Sequence, residues 1–151
     1  MGIETTGLDP AGDEIIELGI LKFTFASDGR IFEVIDEFSV LREPTVAIPA
    51  EVITLTGITA EMVAGQTIDL VAVAKFIDDA VLVIAHEARF DRPICENLVP
   101  AFASKYWACS NTQVDWLVRG HAASTRLPLV GRQQWRTTRL VEGCGRGCGR
   151  C

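Results

Sequence analysis

The chain has 151 residues, 48% hydrophobic and 23% charged, with a net charge of −6; that length suits one domain with a normal core, and the composition excludes a disordered chain. Residues 1–125 carry 8 Lys and Arg against 19 Asp and Glu, or −11, while residues 126–151 carry 6 Arg against Glu142 alone, or +5. An acidic body argues against a broad basic surface gripping nucleic acid by charge, but is compatible with an enzyme that meets phosphates through bound metal. No apolar run approaches the roughly 20 residues of a membrane-spanning helix, so no membrane partner is expected and the expected location is cytoplasmic. Cys95 and Cys109 stand alone in apolar surroundings, which reads as buried filler rather than a disulfide framework.

In chain order, Gly2 to Pro10 delivers the carboxylate of Glu4 at the end of a short strand, followed by two hydroxyls, Gly7 and the turn signal Asp9-Pro10. Such a turn suits a divalent cation near a phosphate. Residues 14–25 predict an interior strand, with Ile16, Leu18 and Ile20 on one face and Ile15, Leu21 and Phe23 on the other. Ser27 to Arg30 is a hairpin turn, and residues 31–40 return as a third strand with Phe32, Val34 and Phe38 roughly alternating with polar residues. Pro49 suits the first turn of a helix running to about Leu55 and stopped by Gly57. A short helix over 59–63 has Thr59 as its expected N-cap. A longer helix to about Asp79 has Thr67 as its cap and would bury Leu70, Val71, Val73, Ala74 and Ile77.

Val81 to Ala85 is an unbroken apolar run and predicts a buried strand parallel to its neighbour. A helix from Ala88 or Arg89 to about Phe102 follows, with Pro93 in its first turn; then come a strand at 106–110 and a short helix from Thr112 to Val118. The succession predicts an α/β fold, a mixed sheet covered by helices. From residue 127 onward the periodicity is lost, and the Gly/Cys/Arg alternation of 143–151 is what a GC-rich stretch encoding alanines gives when read out of frame. The expected organisation is one domain over 1–126 and an aberrant low-complexity tail over 127–151. An intact reading frame through residue 127 would overturn the frameshift expectation. Cys144, Cys148 and Cys151 have an iron–sulfur spacing, but no barrel context accompanies it.

Ile3 to Pro10 followed by Asp13 to Gly19 resembles the first motif of the DEDD-type 3′–5′ exonucleases, a superfamily that includes the proofreading subunit of bacterial replicative DNA polymerase and ribonuclease T. Gly57 to Val63 is similar to the family's linking segment, and Ile84 to Asp91 to its second motif, which usually has Asn at the place of Glu87. The resemblance implies a ribonuclease-H-like, five-stranded mixed sheet and hydrolysis of phosphodiester bonds at nucleic-acid 3′ ends. Four carboxylates holding two Mg²⁺ or Mn²⁺ ions would carry that chemistry. Residue by residue it makes Glu4 and Asp91 the catalytic, metal-binding carboxylates. Thr5, Thr6 and Gly7 would cradle the terminal nucleotide and Leu8 would pack on its base, with His86 supporting the loop by hydrogen bonding. Phe90 would meet a sugar or base, or lie beneath the site. The implied partners are a single-stranded 3′ end, DNA rather than RNA, and a DNA polymerase subunit.

Two departures are visible. The first Asp of the family's Asp-x-Glu falls at position 2, which is Gly2, and no His-x-x-x-x-Asp occurs in 122–151. The rival expectation is an inactive nucleic-acid-binding or polymerase-associated module of the same fold.

Overall fold

The structure, a computed structural model, describes residues 1–116 and 118. Its first layer is a meander. Strand β1 (Gly2–Thr5) pairs antiparallel with β2 (Ile15–Phe25), which pairs antiparallel with β3 (Ile31–Leu41). The turn between β2 and β3 places Gly29 at φ 85°, left-handed backbone that glycine adopts without a Cβ penalty. Three short helices follow, α1 (Ala50–Thr56), α2 (Ala60–Val63) and α3 (Leu70–Phe76). Then come β4 (Leu82–Ala85), α4 (Ala88–Leu98), a 3₁₀ turn (Pro100–Ser104), β5 (Tyr106–Cys109) and α5 (Ser110–Gln113). Strands β4 and β5 pair in parallel, as the apolar run predicts.

The α/β class and the mixture of antiparallel and parallel strands agree with the sequence. The five strands nevertheless form a three-stranded sheet, β1-β2-β3, and a separate pair, β4-β5. The physical reason is the brevity of β1: four residues engage β2 on one side and leave little ladder for β4 on the other. Between the sheets, the Met1 amine donates to the Ile84 carbonyl at 2.7 Å.

The core divides in two. The larger cluster, with Ile15, Leu18, Val73, Ile77, Val83, Ile94, Cys95, Val99 and Phe102, joins the meander to α3, α4 and β4. The smaller gathers Ile16, Val52, Ile58 and Val63 under α1 and α2. A bulge causes this split and corrects the expected facing of β2. Glu4 pairs with Glu17 but Thr5 pairs with Ile15, so Ile16 is an extra residue. Beyond it Ile15 joins Leu18 and Ile20, while Ile16 turns to the smaller cluster. Two adjacent isoleucines are buried on opposite sides.

Bulges reshape β3 as well. Lys22 pairs with Asp36 but Phe23 with Val34, and Thr24 pairs with Glu33 but Phe25 with Ile31. The extra residues are Ile35 and Phe32, 52% and 69% exposed, so the expected alternation of Phe32 with Phe38 fails. Phe38, with Val40, packs on the large core.

Helix boundaries differ from expectation for local reasons. Pro49 is the N-cap of α1 rather than part of its first turn, and Gly57 ends that helix at φ 68° as a left-handed cap. Thr59 stands at the N-cap of α2 but makes no capping hydrogen bond. Asp69, not Thr67, caps α3, accepting from the amides of Val71 (2.9 Å) and Ala72 (3.0 Å). With the helix beginning there, Leu70 and Val71 point to solvent while Val73 and Ile77 are buried. Lys22 closes its far end, donating to the Phe76 carbonyl at 3.1 Å and pairing with Asp79, and Lys105 donates to the Asp78 carbonyl at 2.7 Å. Helix α4 stops at Leu98 because Val99 precedes Pro100 and adopts extended backbone. Pro93 lies in its interior rather than its first turn. The expected helix from Thr112 to Val118 is replaced by α5, and residue 117 and residues 119–151, with the expected tail, lie outside the described residues. Cys95 and Cys109 are buried free thiols. Among the described residues no helix is long and apolar enough to cross a membrane.

Candidate active site

The loop between β1 and β2 is organised around one carboxylate. Asp13 Oδ1 accepts from the Thr6 hydroxyl and Oδ2 from the Asp9 amide, both at 2.8 Å. Its own amide donates to the Asp9 carbonyl at 2.8 Å. The Thr6 hydroxyl also accepts from the Glu14 amide (3.0 Å), and the Thr6 amide donates to the Glu14 carbonyl (2.9 Å). Thr5 donates its hydroxyl to the Gly7 carbonyl at 2.6 Å. Both threonines are buried, so their hydroxyls serve the loop itself, and a ligand could meet them only through backbone. Gly7 has a different requirement from a positive-φ glycine. A Cβ there would stand 2.5 Å from Asp13 Oδ2, closer than such atoms approach. Leu8 follows at the tip, 86% exposed.

Glu14 ties this loop to the next layer. Its carboxylate accepts from the Thr45 amide (2.9 Å) and pairs with Arg42 (3.0 Å). Asp13, Glu14 and Arg42, with Ile94, Asn97 and Leu98 of α4, line a shallow surface cavity of about 190 Å³ beside the loop.

The second half of the site is the β4–α4 turn. Asp91 sits in the first turn of α4, 6% exposed, where its backbone amide donates to the Glu87 carbonyl at 2.9 Å. Burial pushes its pKa from 3.8 up to about 6, the loss of solvating water outweighing the favourable Met1 amine, a Glu87 backbone hydrogen bond and His86; Glu87's charge adds to the rise. His86 is half-buried. Its Nδ1 is 3.0 Å from Ser110 Oγ, and its carbonyl accepts from the Cys109 thiol (3.2 Å) and the Asn111 amide (3.2 Å). The Trp116 indole packs near its ring with centroids 6.5 Å apart. Glu87, where the resembling family usually has Asn, accepts instead from the Asn111 side chain. Phe90 packs against the large core.

Glu4 and Asp91 therefore stand on two elements that meet near Met1. Glu4 is the penultimate residue of β1, on the face it shares with Gly2 and directly opposite Glu17. Glu4 and Asp91 are oxygen donors of the right chemistry for a divalent cation. Yet among the described residues no group of three or more His, Cys, Asp or Glu is placed to hold a metal ion. Two carboxylates fall short of what a pair of divalent ions needs, so the described residues do not fit a two-ion centre. The residues that sequence reasoning missed are those that hold others: Asp13, Glu14, Ser110 and Asn111. The adjacent Asp13-Glu14 pair closing a polar turn was the available signal, whereas Ser110 and Asn111 reach the site only through the β4–β5 pairing.

The family model described as exonuclease (RNase_T) matches residues 3–114. The chain is 46% identical over 92 residues to the PolC-type DNA polymerase III of Clostridium perfringens, covering 59% of this chain and 6% of that protein. It is 37% identical over 93 residues to the PolC-type enzyme of Thermotoga petrophila, covering 60% and 6%. The chain thus spans a small fraction of these polymerases' length. Among solved structures, E. coli exonuclease I in complex with a dA13 oligonucleotide superposes with a TM-score of 0.57 at 15% identity, covering 79% of this chain and 28% of that one. Exonuclease X in complex with 5′-overhanging duplex DNA superposes with a TM-score of 0.51 at 22% identity, covering 72% and 57%. At those identities the structural likeness speaks for the fold. With a family match that runs from the first strand through the last described helix, the chain belongs to the RNase_T exonuclease family of ribonuclease-H-like fold.

Proposed function

We propose that the chain engages the 3′ end of single-stranded DNA and acts as a 3′–5′ exonuclease, with Glu4 and Asp91 as its metal-facing carboxylates. The observation that carries this reading is Asp91. A carboxylate only 6% exposed, with its pKa raised to about 6, costs the fold stability and gives no apolar packing in return. A site kept at such cost suits a role in binding charge. In this reading the Thr5–Gly7 backbone cradles the terminal nucleotide and the exposed Leu8 packs on its base. His86, fixed by Ser110, supports the turn that carries Asp91, and Phe90 lies under the site. DNA is favoured over RNA by the polymerase relatives and by the DNA oligonucleotides bound to the structural neighbours. The same relatives support a polymerase as partner.

Mg²⁺ or Mn²⁺ supplies Lewis acidity in two-metal phosphodiester hydrolysis. Glu4 and Asp91 are the only candidates for it among the residues assigned here, so full turnover needs further oxygen donors. That shortage favours a second reading, in which the domain binds 3′ ends without hydrolysing them. It rests on Gly2, on the lack of a His-x-x-x-x-Asp in 122–151, and on the lack of a three-donor cluster among the described residues. Incubation with 3′-labelled single-stranded DNA and Mn²⁺ separates the two. Mononucleotide release supports the enzyme, binding without release supports the module, and neither binding nor release overturns both.

A further inference from the structure

We infer that Asp13 is a positioning residue for the 3′ terminus: its carboxylate latches the Thr5–Asp9 loop and thereby sets the pose in which Leu8 meets the terminal base. The inference rests on the 3′-end reading above and adds to it a residue that never touches the substrate. Asp13 receives the Thr6 hydroxyl and the Asp9 amide on separate oxygens, both at 2.8 Å. Those two donors bracket Gly7 and Leu8, so the carboxylate staples the loop on either side of its exposed tip. Hydrogen bonds to an ionised acceptor are the stronger kind, and two from one rigid group fix an orientation as well as a distance. Gly7 is the matching half of the device, because any Cβ there would collide with the same carboxylate at 2.5 Å. The Asp9-Pro10 turn adds a second layer, with the amides of Ala11, Gly12 and Asp13 all returning to Asp9.

A leucine 86% exposed has no packing of its own to hold it. Its position is inherited from the backbone on which it stands, and that backbone is fixed by Asp13. Fixing a contact residue before binding lowers the ordering cost that binding would otherwise carry.

The test uses the full chain and fluorescence anisotropy in EDTA, with 5′-fluorescein-labelled oligothymidylate ending either in an ordinary 3′-terminal thymidine or in a 3′-terminal abasic residue. Wild-type protein is expected to prefer the base-bearing end. Asp13→Ala is expected to weaken binding to that end about tenfold while leaving the abasic oligonucleotide within about twofold, so that the preference disappears. Asp13→Asn, which keeps one acceptor, is expected to fall between. Gly7→Ala, whose Cβ would displace the same carboxylate, should lose the base-bearing end too but also some of the abasic end, since Gly7 lies in the nucleotide cradle; Asp13→Asn carries the test should Asp13→Ala fold poorly. Amide exchange at residues 7–9 should accelerate in both alanine variants. Equal weakening on both oligonucleotides assigns Asp13 a merely structural role, and an undiminished preference in the variants likewise overturns the inference. Wild-type protein that shows no 3′-end binding overturns the exonuclease reading itself, a result distinguishable from either.

Discussion

At the scale of single residues, Asp91 makes the sharpest forecast. Its acid form is favoured in the folded chain, with a pKa of about 6 against the ordinary 3.8. The unfolded chain therefore ionises first as pH rises. Stability is undiminished below about pH 4, falls between about 4 and 6, and above that carries the full penalty, on the order of 3 kcal/mol. Asp91→Asn should raise the urea midpoint at pH 7 and bring almost no gain at pH 4; an equal gain at both pH values would sink this account. Gly2 makes the complementary forecast, since it shares a face of β1 with Glu4 and lies opposite Gly19, which adds no side chain there. Gly2→Asp should strengthen Mn²⁺ binding about tenfold by calorimetry, the effect of one more carboxylate ligand. The places of Glu4 on β1 and of Asp91 in the first turn of α4 were legible because motif and element agreed. Asp13 was not, since its role depends on where a turn folds its carboxylate, a matter of three dimensions that spacing alone does not encode.

The element scale shows which local signals prevail. Asp69 and Thr59 both sit at N-cap positions, yet only Asp69 accepts from helix amides. The Thr59 hydroxyl is instead the main influence lowering the pKa of Glu61. Asp69→Ala should accordingly cost about 1 kcal/mol in chemical denaturation, and Thr59→Ala distinctly less. The order and type of nearly every element could be read from apolar spacing, from Gly57 as a helix stop and from the unbroken run 81–85. Strand faces could not. Period-two reasoning assumes an uninterrupted ladder, and β2 and β3 are interrupted three times between them. Each extra residue reverses the facing of everything beyond it, which is why Ile15 and Ile16 part company.

At the scale of the whole molecule, stability is concentrated in the larger core. Phe102 is 1% exposed and packs beside Trp107, with ring centroids 5.8 Å apart. Phe102→Ala should lose about 3–5 kcal/mol, read as a lowered urea midpoint with a cooperative transition retained. Phe32→Ser, at a site already facing water, should stay within about 0.5 kcal/mol of wild type. The bulges that expel Phe32 and Ile35 also bear on how the protein keeps company with itself. Strand β3 is eleven residues long and, among the described residues, pairs on one side only. A straight strand of that length would invite stacking by neighbouring molecules, whereas kinks at two points, and acidic Glu33, Asp36 and Glu37 between and beside them, spoil any continuous match. The irregularity that hides the strand's facing from a reader of the sequence should thus also limit self-association: excising Phe32 or Ile35 is expected to straighten the edge and raise light scattering above that of the parent at equal concentration, and no rise would overturn this account.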